Sequence, residues 1–249
     1  MKCINAEWEL RNLGVKTIEL SIDKEDAELS ADELLNIIEN YRQLYDAKYV
    51  VIKSDVKYPV ISKYLQRANF FLIENQVGLR CSRKDALDAL NKYRQICEGV
   101  SYRSASEDDI QLIFSEIENG IFTTDRVALD SYFGKEIANR RYLLWTKDEI
   151  SRGSFIHLAL YENKPFAFFL DKAVNEKTLH GLLGGLFNSA KLKNLGMMYM
   201  YSATLSFIDN GWKFSITDAS SNNPQILKLQ FMFGKQITTI KNVFVKHFD

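Results

Sequence analysis

The residues best placed to do chemistry lie between Leu179 and Phe233. LHGLLGGLF is an apolar run bounded by glycines, as a buried strand is. The polar connection NSAKLKNLG follows and ends at Gly196, after which Met197, Tyr201, Leu205 and Ile208 recur at helical spacing. A strand that stops at a loop and passes straight into a helix presents free amide N–H groups and the positive end of the helix dipole. Those are the donors that an anionic phosphate needs. The expected cradle runs through Lys191, Leu192, Lys193, Asn194, Leu195, Gly196 and Met197. Lys191 and Lys193 add charge, and Gly196 permits close backbone approach. His180, on the strand that leads into the loop, titrates near neutrality and is a candidate base. A lone strand histidine is more often simply packed or surface-facing.

A second constellation lies in residues 120–153, GIFTTDRVALDSYFGKEIANRRYLLWTKDEISRG. Here Asp125, Arg126, Tyr142 and Trp145 are candidate substrate-binding residues, because aromatics interleaved with arginines can stack a ring and clamp a phosphate or carboxylate. The bland alternative is a helix pair with core aromatics and solvated arginines.

These groups must be positioned by an alternation of strands and helices. Near the C-terminus, Asn210-Gly211 closes the first helix, Trp212 to Thr217 reads as a strand, and Pro224 suits the first turn of another helix. Asn223, just before it, is placed either to hydrogen-bond a ligand or to cap that helix. Residues 1–98 read as a small α/β unit in the order β-β-α-β-α-β, with CINAEWEL and VKTIELSID as its first two strands. Ser30 with Glu33 forms a capping box, and Pro59 starts a second helix. Lys84 to Glu98 is a charged amphipathic stretch ending at Gly99, and it marks the expected boundary between a domain of residues 1–98 and one of 99–249. VSYRS then gives a strand, and Ser106 caps a helix with Asp109 completing the box. FIHLALYENKPFAFFLDKAVNEKTLHGLLGGLF reads as antiparallel strands with turns at Glu162-Asn163 and Asn175-Glu176.

In this order and with these motifs, the C-terminal part resembles the GNAT acyltransferases. Lys191, Asn194 and Gly196 fall on the three fixed positions of that family's pyrophosphate loop, Gln/Arg-x-x-Gly-x-Gly/Ala. Asn223, Leu229, Gln230 and Gly234 fall on its later helix, Asn-x-x-x-x-x-Leu-Tyr-x-x-x-Gly. Asn194 replaces a glycine, which is tolerable because Asn enters left-handed conformations readily. Gln230 replaces the tyrosine that often serves as general acid; it can donate a hydrogen bond but has no proton to give. The loop in 120–153 and the extra N-terminal half further resemble the dTDP-fucosamine N-acetyltransferase-like members.

The resemblance implies an α/β (α+β) fold with a central mixed, mostly antiparallel sheet flanked by helices and preceded by a smaller degenerate GNAT-like half. That half lacks a glycine-bearing phosphate loop and is read as structural or substrate-facing; LQRANFFLIENQVGLR in it resembles LKLQFMFGKQITTIKNVFVK near the C-terminus. The implied activity is acetyl-CoA-dependent N-acetyl transfer to a small polar amine such as a nucleotide-linked amino sugar. Backbone N–H groups at Leu186 and Phe187 would polarise the thioester, and His180 and Gln230 are the candidate catalytic residues. A binding or interaction protein that kept the fold is the alternative, with Gln230 and Asn194 in its favour. Aminoacyl transfer would need a basic groove.

Composition excludes other classes. With 32 basic and 32 acidic residues the formal charge is zero, so no global field favours nucleic acid or an anionic membrane. No apolar run approaches the ~18 residues of a membrane span. MKCINAEWEL has no apolar core of signal-peptide type. Cys3, Cys81 and Cys97 are widely spaced and read as reduced, in a cytoplasmic protein. His157, His180 and His247 are not paired at metal-ligand spacing, so no metal is expected. KNVFVKHF, the last strand, is a candidate for pairing across a homodimer.

Overall fold

The computed structural model describes residues 1–190 and 193–249. The N-terminal part comprises β1 (Lys2–Asn5), α1 (Glu7–Leu13), β2 (Thr17–Ser21), α2 (Ala31–Leu44), β3 (Tyr49–Asp55), α3 (Pro59–Arg67) and β4 (Phe71–Ser82). After α4 (Arg83–Tyr93) come β5 (Val100–Ser104), α5 (Glu107–Glu118), α6 (Arg126–Leu129), α7 (Gly134–Ser151), β6 (Phe155–Tyr161), β7 (Lys164–Asn175) and β8 (Thr178–Leu186). The chain ends with α8 (Leu195–Asp209), β9 (Phe214–Ser220), α9 (Pro224–Met232) and β10 (Gln236–His247).

Local chemistry starts most of these elements. Ser30 and Ser106 each accept a bond from the backbone three residues on, and Glu33 and Asp109 return it, so both expected capping boxes form. Ser82 and Asp85 make a third at α4. Glu162 and Asn163 both take positive φ (48° and 62°), the two-residue turn that lets β6 fold back along β7. One expectation fails: CINAEWEL is a strand only to Asn5, and Glu7–Leu13 is a helix. Tertiary contact overrides the apolar pattern there, because a helical turn places Glu9 and Leu13 on one buried face against α7.

All ten strands of the described residues join one sheet in the order β1-β2-β3-β10-β4-β9-β8-β7-β6-β5. β2 with β3 and β8 with β9 are parallel; the other pairs are antiparallel. The two parts of the chain exchange their last strands. β10 lies between β3 and β4, while β4 lies between β10 and β9. The internal resemblance seen in the sequence is thus a topological repeat: β2-α2-β3-α3-β4 follows the same path as β8-α8-β9-α9-β10. Both edges of β10 are paired within the chain, so KNVFVKHF is not the free edge that a dimer through this strand requires.

Helices cover both faces. α2 and α3 bury Leu34, Ile38, Ile61 and Leu65 against Ile18, Leu20, Val50, Ile52 and Phe244. On the C-terminal part, α4, α8 and α9 pack over one face and α5 and α7 over the other. Phe244 of β10 is fully buried within the N-terminal cluster, far along the chain from the strands and helices around it. Phe244→Ala should therefore cost about 3–5 kcal/mol. Because one strand ties both parts, urea unfolding followed at Trp8 and at Trp212 should give one coincident transition. Two separated transitions would show that the exchanged strand does not couple them.

Candidate active site

A strand leaves the sheet where the loop begins. β8 runs to Leu186 and β9 to Ser220, yet they pair only from Thr178 opposite Phe214 to Gly181 opposite Thr217. Thr217 Oγ1 donates to the Gly181 carbonyl at 2.8 Å and closes the last rung. Leu182 is an extra residue between the pairs Asp171–Gly181 and Leu170–Leu183, a bulge that turns β8 away. Beyond it the facing edges of the two strands have no strand partner, in the middle of a sheet. Their backbone groups line a cavity of about 340 Å³ together with side chains from both faces. An opened sheet centre leaves donors and acceptors that a ligand must satisfy.

The loop that follows is anchored at its start. Buried Glu116 accepts from the Asn188 N–H at 2.8 Å, and its other oxygen from Ser189 Oγ at 3.4 Å. At its end Asn194 stands left-handed, with φ 58° and ψ 23°, in the conformation expected of it as the N-cap of α8. The first amides of α8, at Leu195, Gly196 and Met197, are the donors an α-helix leaves unused. Lys193 and Asn194 are exposed beside them. Gly196 has a second duty: a Cβ there would come within 2.8 Å of the Leu229 side chain, so the first turn of α8 lies against α9. Lys191 and Leu192, two members of the expected cradle, lie outside the described residues.

Other expected residues fall as follows. Phe187 donates its N–H to the Phe166 carbonyl at 2.9 Å and is buried, so that amide is not free for a thioester. Leu186 pairs with Ala167 at the end of β8, outside the cavity lining. The stretch Leu182–Gly184, which has no partner on its β9 side, lines the cavity instead. His180 is also outside it; burial lowers its pKa and Asp218, 3.9 Å away, only partly opposes this, which leaves the ring neutral near pH 7. Gln230 lines the cavity, is 9% exposed, and its Oε1 has no hydrogen-bond partner. Asn223 also reaches the cavity, but its Oδ1 accepts from the Ile226 N–H at 3.1 Å, so it caps α9.

Two groups that the sequence did not single out, Asp171 and Lys235, line the cavity with Tyr199, which had no motif to mark it as the general acid in place of Gln230. Asp171 of β7 is buried beside Gly181, and desolvation pushes its carboxyl up to about 7 although Lys235 pulls the other way. Burial likewise lowers Lys235, whose Nζ donates to Ser215 Oγ at 2.8 Å. Tyr199 of α8 packs its hydroxyl against Gly184, where any Cβ would collide with it. Burial, and then the Asp171 charge, raise its pKa, so the phenol keeps its proton. The clue to Asp171 was a single acid inside the apolar run AFFLDK; the run's alternation gave no sign of which wall it would face.

The far end is where the cavity meets the N-terminal part. Asp125, Arg126, Tyr142 and Trp145 all line it, as the sequence suggested, and so do Lys53, Glu74 and Gln76 of β3 and β4. Tyr142 stacks on Phe122 with ring centres 4.3 Å apart. The arginines are engaged. Arg126 bonds Glu19, and Arg141 bonds Glu9 at 2.8 Å and stands 3.8 Å from Asp125. Burial alone raises Glu19, but the charges of Arg126, Lys53 and Arg141 outweigh it and hold it at about 2. Arg140 donates to the Asn12 carbonyl at the end of α1. Asp125 also accepts from the Ala128 N–H and starts α6.

No family model matches the sequence, and no curated protein matches it. Solved structures do match the fold. A conserved protein of unknown function from Staphylococcus epidermidis is 11% identical with a TM-score of 0.64, over 93% of this chain and 84% of that one. A GCN5-related N-acetyltransferase from Sphaerobacter thermophilus is 10% identical with a TM-score of 0.61, over 99% and 75%. One from Kribbella flavida is 14% identical with a TM-score of 0.57, over 93% and 81%. At such identities the likeness is one of fold, and with the parted strands, the bulge and the loop-to-helix passage it is specific: this chain has the GNAT fold.

Proposed function

We propose that the protein is an acetyl-CoA-dependent N-acyltransferase that acetylates the amine of a small polar acceptor directly. The observation that carries this is Gln230 Oε1, a buried acceptor without a partner on a residue that lines the cavity where β8 and β9 part. A buried amide oxygen left unsatisfied costs about 1–3 kcal/mol, and an amide N–H of a pantetheine arm is the donor it lacks. The unpaired edges of β8 and β9 offer that arm further backbone partners, and the amides at the start of α8 suit a pyrophosphate. An amino sugar is the acceptor suggested by the sequence resemblance.

Bound there, acetyl-CoA supplies a thioester whose carbonyl carbon bonds to the amine nitrogen as the carbon–sulfur bond breaks. Asp171, held near neutrality by burial, takes the proton that the acceptor's ammonium must lose. The second proton, shed by the nitrogen as the amide forms, goes to the departing thiolate, while Tyr199 keeps its own proton and donates a hydrogen bond toward that sulfur, a role Gln230 shares as an amide donor. Along Leu182–Gly184, whichever amides point to the unpaired edge of β8 are the candidate donors to the thioester oxygen. Cys81 lines the cavity, but burial raises its thiol pKa, which disfavours an acyl-cysteine and supports direct transfer.

Calorimetric titration should show micromolar acetyl-CoA binding, weakened about tenfold in Lys193→Glu, equivalent to about 1.4 kcal/mol, and lost in Gly196→Trp. Lys193 is exposed and leaves the contact of Gly196 with Leu229 intact, so it separates ligand loss from misfolding; thermal melts of both variants check this. A folded wild type that binds no acetyl-CoA would shift the weight to an interaction protein. For the base, the rate should rise with pH through about 7 as Asp171 deprotonates, under the influence of Lys235, Tyr199 and Ser215 around it. Asp171→Asn should lower kcat about 10²–10⁴-fold, remove that limb of the profile and leave acetyl-CoA affinity unchanged. An unaltered pH profile would exclude Asp171 as the base.

A further inference from the structure

The acceptor end of the cavity has a charge pattern that selects its ligand. Three cations stand there, and each already has a carboxylate. Arg126 is paired with Glu19 and stands 3.8 Å from Glu9; Arg141 is paired with Glu9; Lys53 lies 3.2 Å from Glu19. Glu9 is fully buried and comes from α1, and Glu19 comes from β2, so the N-terminal part neutralises the arginines that the C-terminal part presents. A phosphate entering here would meet cations already paired with Glu9 and Glu19 behind the wall, Arg126 keeping one unpartnered donor at Nε, and two carboxylates on the wall itself, Glu74 and Asp125.

Glu74 differs from the other three. No Lys, Arg or His lies within salt-bridge distance of it among the described residues, and its Oε2 is buried with no hydrogen-bond partner. Desolvation raises its pKa, even against a hydrogen bond from Ser220 and the nearby charges of Arg126 and Lys53. It shares the cavity lining with Gln76 and with the aromatic rings of Phe122, Tyr142 and Trp145. A carboxylate near ring surfaces is a setting for an ammonium ion, which gains both an ion pair and cation–π contact.

We infer that the acceptor subsite takes a small amine of net positive charge that carries no phosphate, with the Glu74 carboxylate as its counter-ion. This rests on the acetyl-transfer reading of the same cavity and narrows its substrate class from amino sugars in general to unphosphorylated ones and comparable amines. The N-terminal part thereby takes a share in choosing the substrate. Its β4 brings the recognising carboxylate, while α1 and β2 bring the glutamates that disqualify anions.

The test uses glucosamine, 1,4-diaminobutane and glucosamine 6-phosphate as probes, titrated calorimetrically into the full chain with and without saturating coenzyme A. Glucosamine or 1,4-diaminobutane should bind at least about tenfold more tightly than the phosphorylated sugar. The isosteric Glu74→Gln variant should weaken the preferred amine about tenfold, with acetyl-CoA affinity and melting temperature unchanged. Tighter or equal binding of glucosamine 6-phosphate, binding of none of the three, or indifference to Glu74→Gln would overturn the inference. Failure to bind acetyl-CoA would instead strike the activity itself, and the titrations without coenzyme A still report on the subsite.

Discussion

The structure depends on the exchange of last strands between its two parts. A strand inside a sheet needs hydrogen-bond partners on both edges, and β10 finds both on strands of the other part. β4 likewise sits between two strands of the C-terminal part. Neither part can pair its central backbone alone. The same crossing carries Lys53, Glu74 and Gln76 to the cavity wall, so the feature that closes the sheet also builds one end of the site.

Against this continuity the parting of β8 and β9 stands out. The equivalent parallel pair in the N-terminal part, β2 with β3, stays paired along all of β2. Its surroundings are filled by Ile18, Leu20, Ile22, Ile52 and Phe70. One repeat keeps its strands together over an apolar core, while the other opens them around Gln230, Asp171 and Tyr199. The two share a topology, and among the described residues it is the C-terminal pair that parts before its strands end. The difference arises from the bulge at Leu182 and from glycines at positions 181 and 184, which leave room for Asp171 and Tyr199.

Much of this was legible in the sequence because it is local. Capping boxes at Ser30 and Ser106, the turn at Glu162-Asn163, the left-handed Asn194 and the Pro224 helix start are decided within a few residues. Their order was enough to suggest the fold. The strand order was not legible, since β3 and β10 meet across most of the chain with no local mark of it. α1 was misjudged because the partner of Glu9 lies on α7, far along the sequence. For the same reason Arg126 and Arg141 looked like ligand clamps: a residue's type gives its charge, but only the fold shows which glutamate has already claimed it. Asp171 and Glu74 depended on their burial, which one acid among apolar neighbours does not disclose.

The position of β10 bears on how the chain is made. Synthesis is vectorial, and Val51 of β3 waits for Val245 as its partner. Until β10 has left the ribosome, β3 and β4 cannot be joined by the strand between them, and the apolar faces of Ile52, Ile61 and Phe70 lack Phe244. The first-made part is therefore the last completed. Pairings of such sequence separation form slowly and leave surface open to aggregation. A nascent chain stalled before Gln236 would have β9 to pair with one edge of β4 but nothing to join β4 to β3.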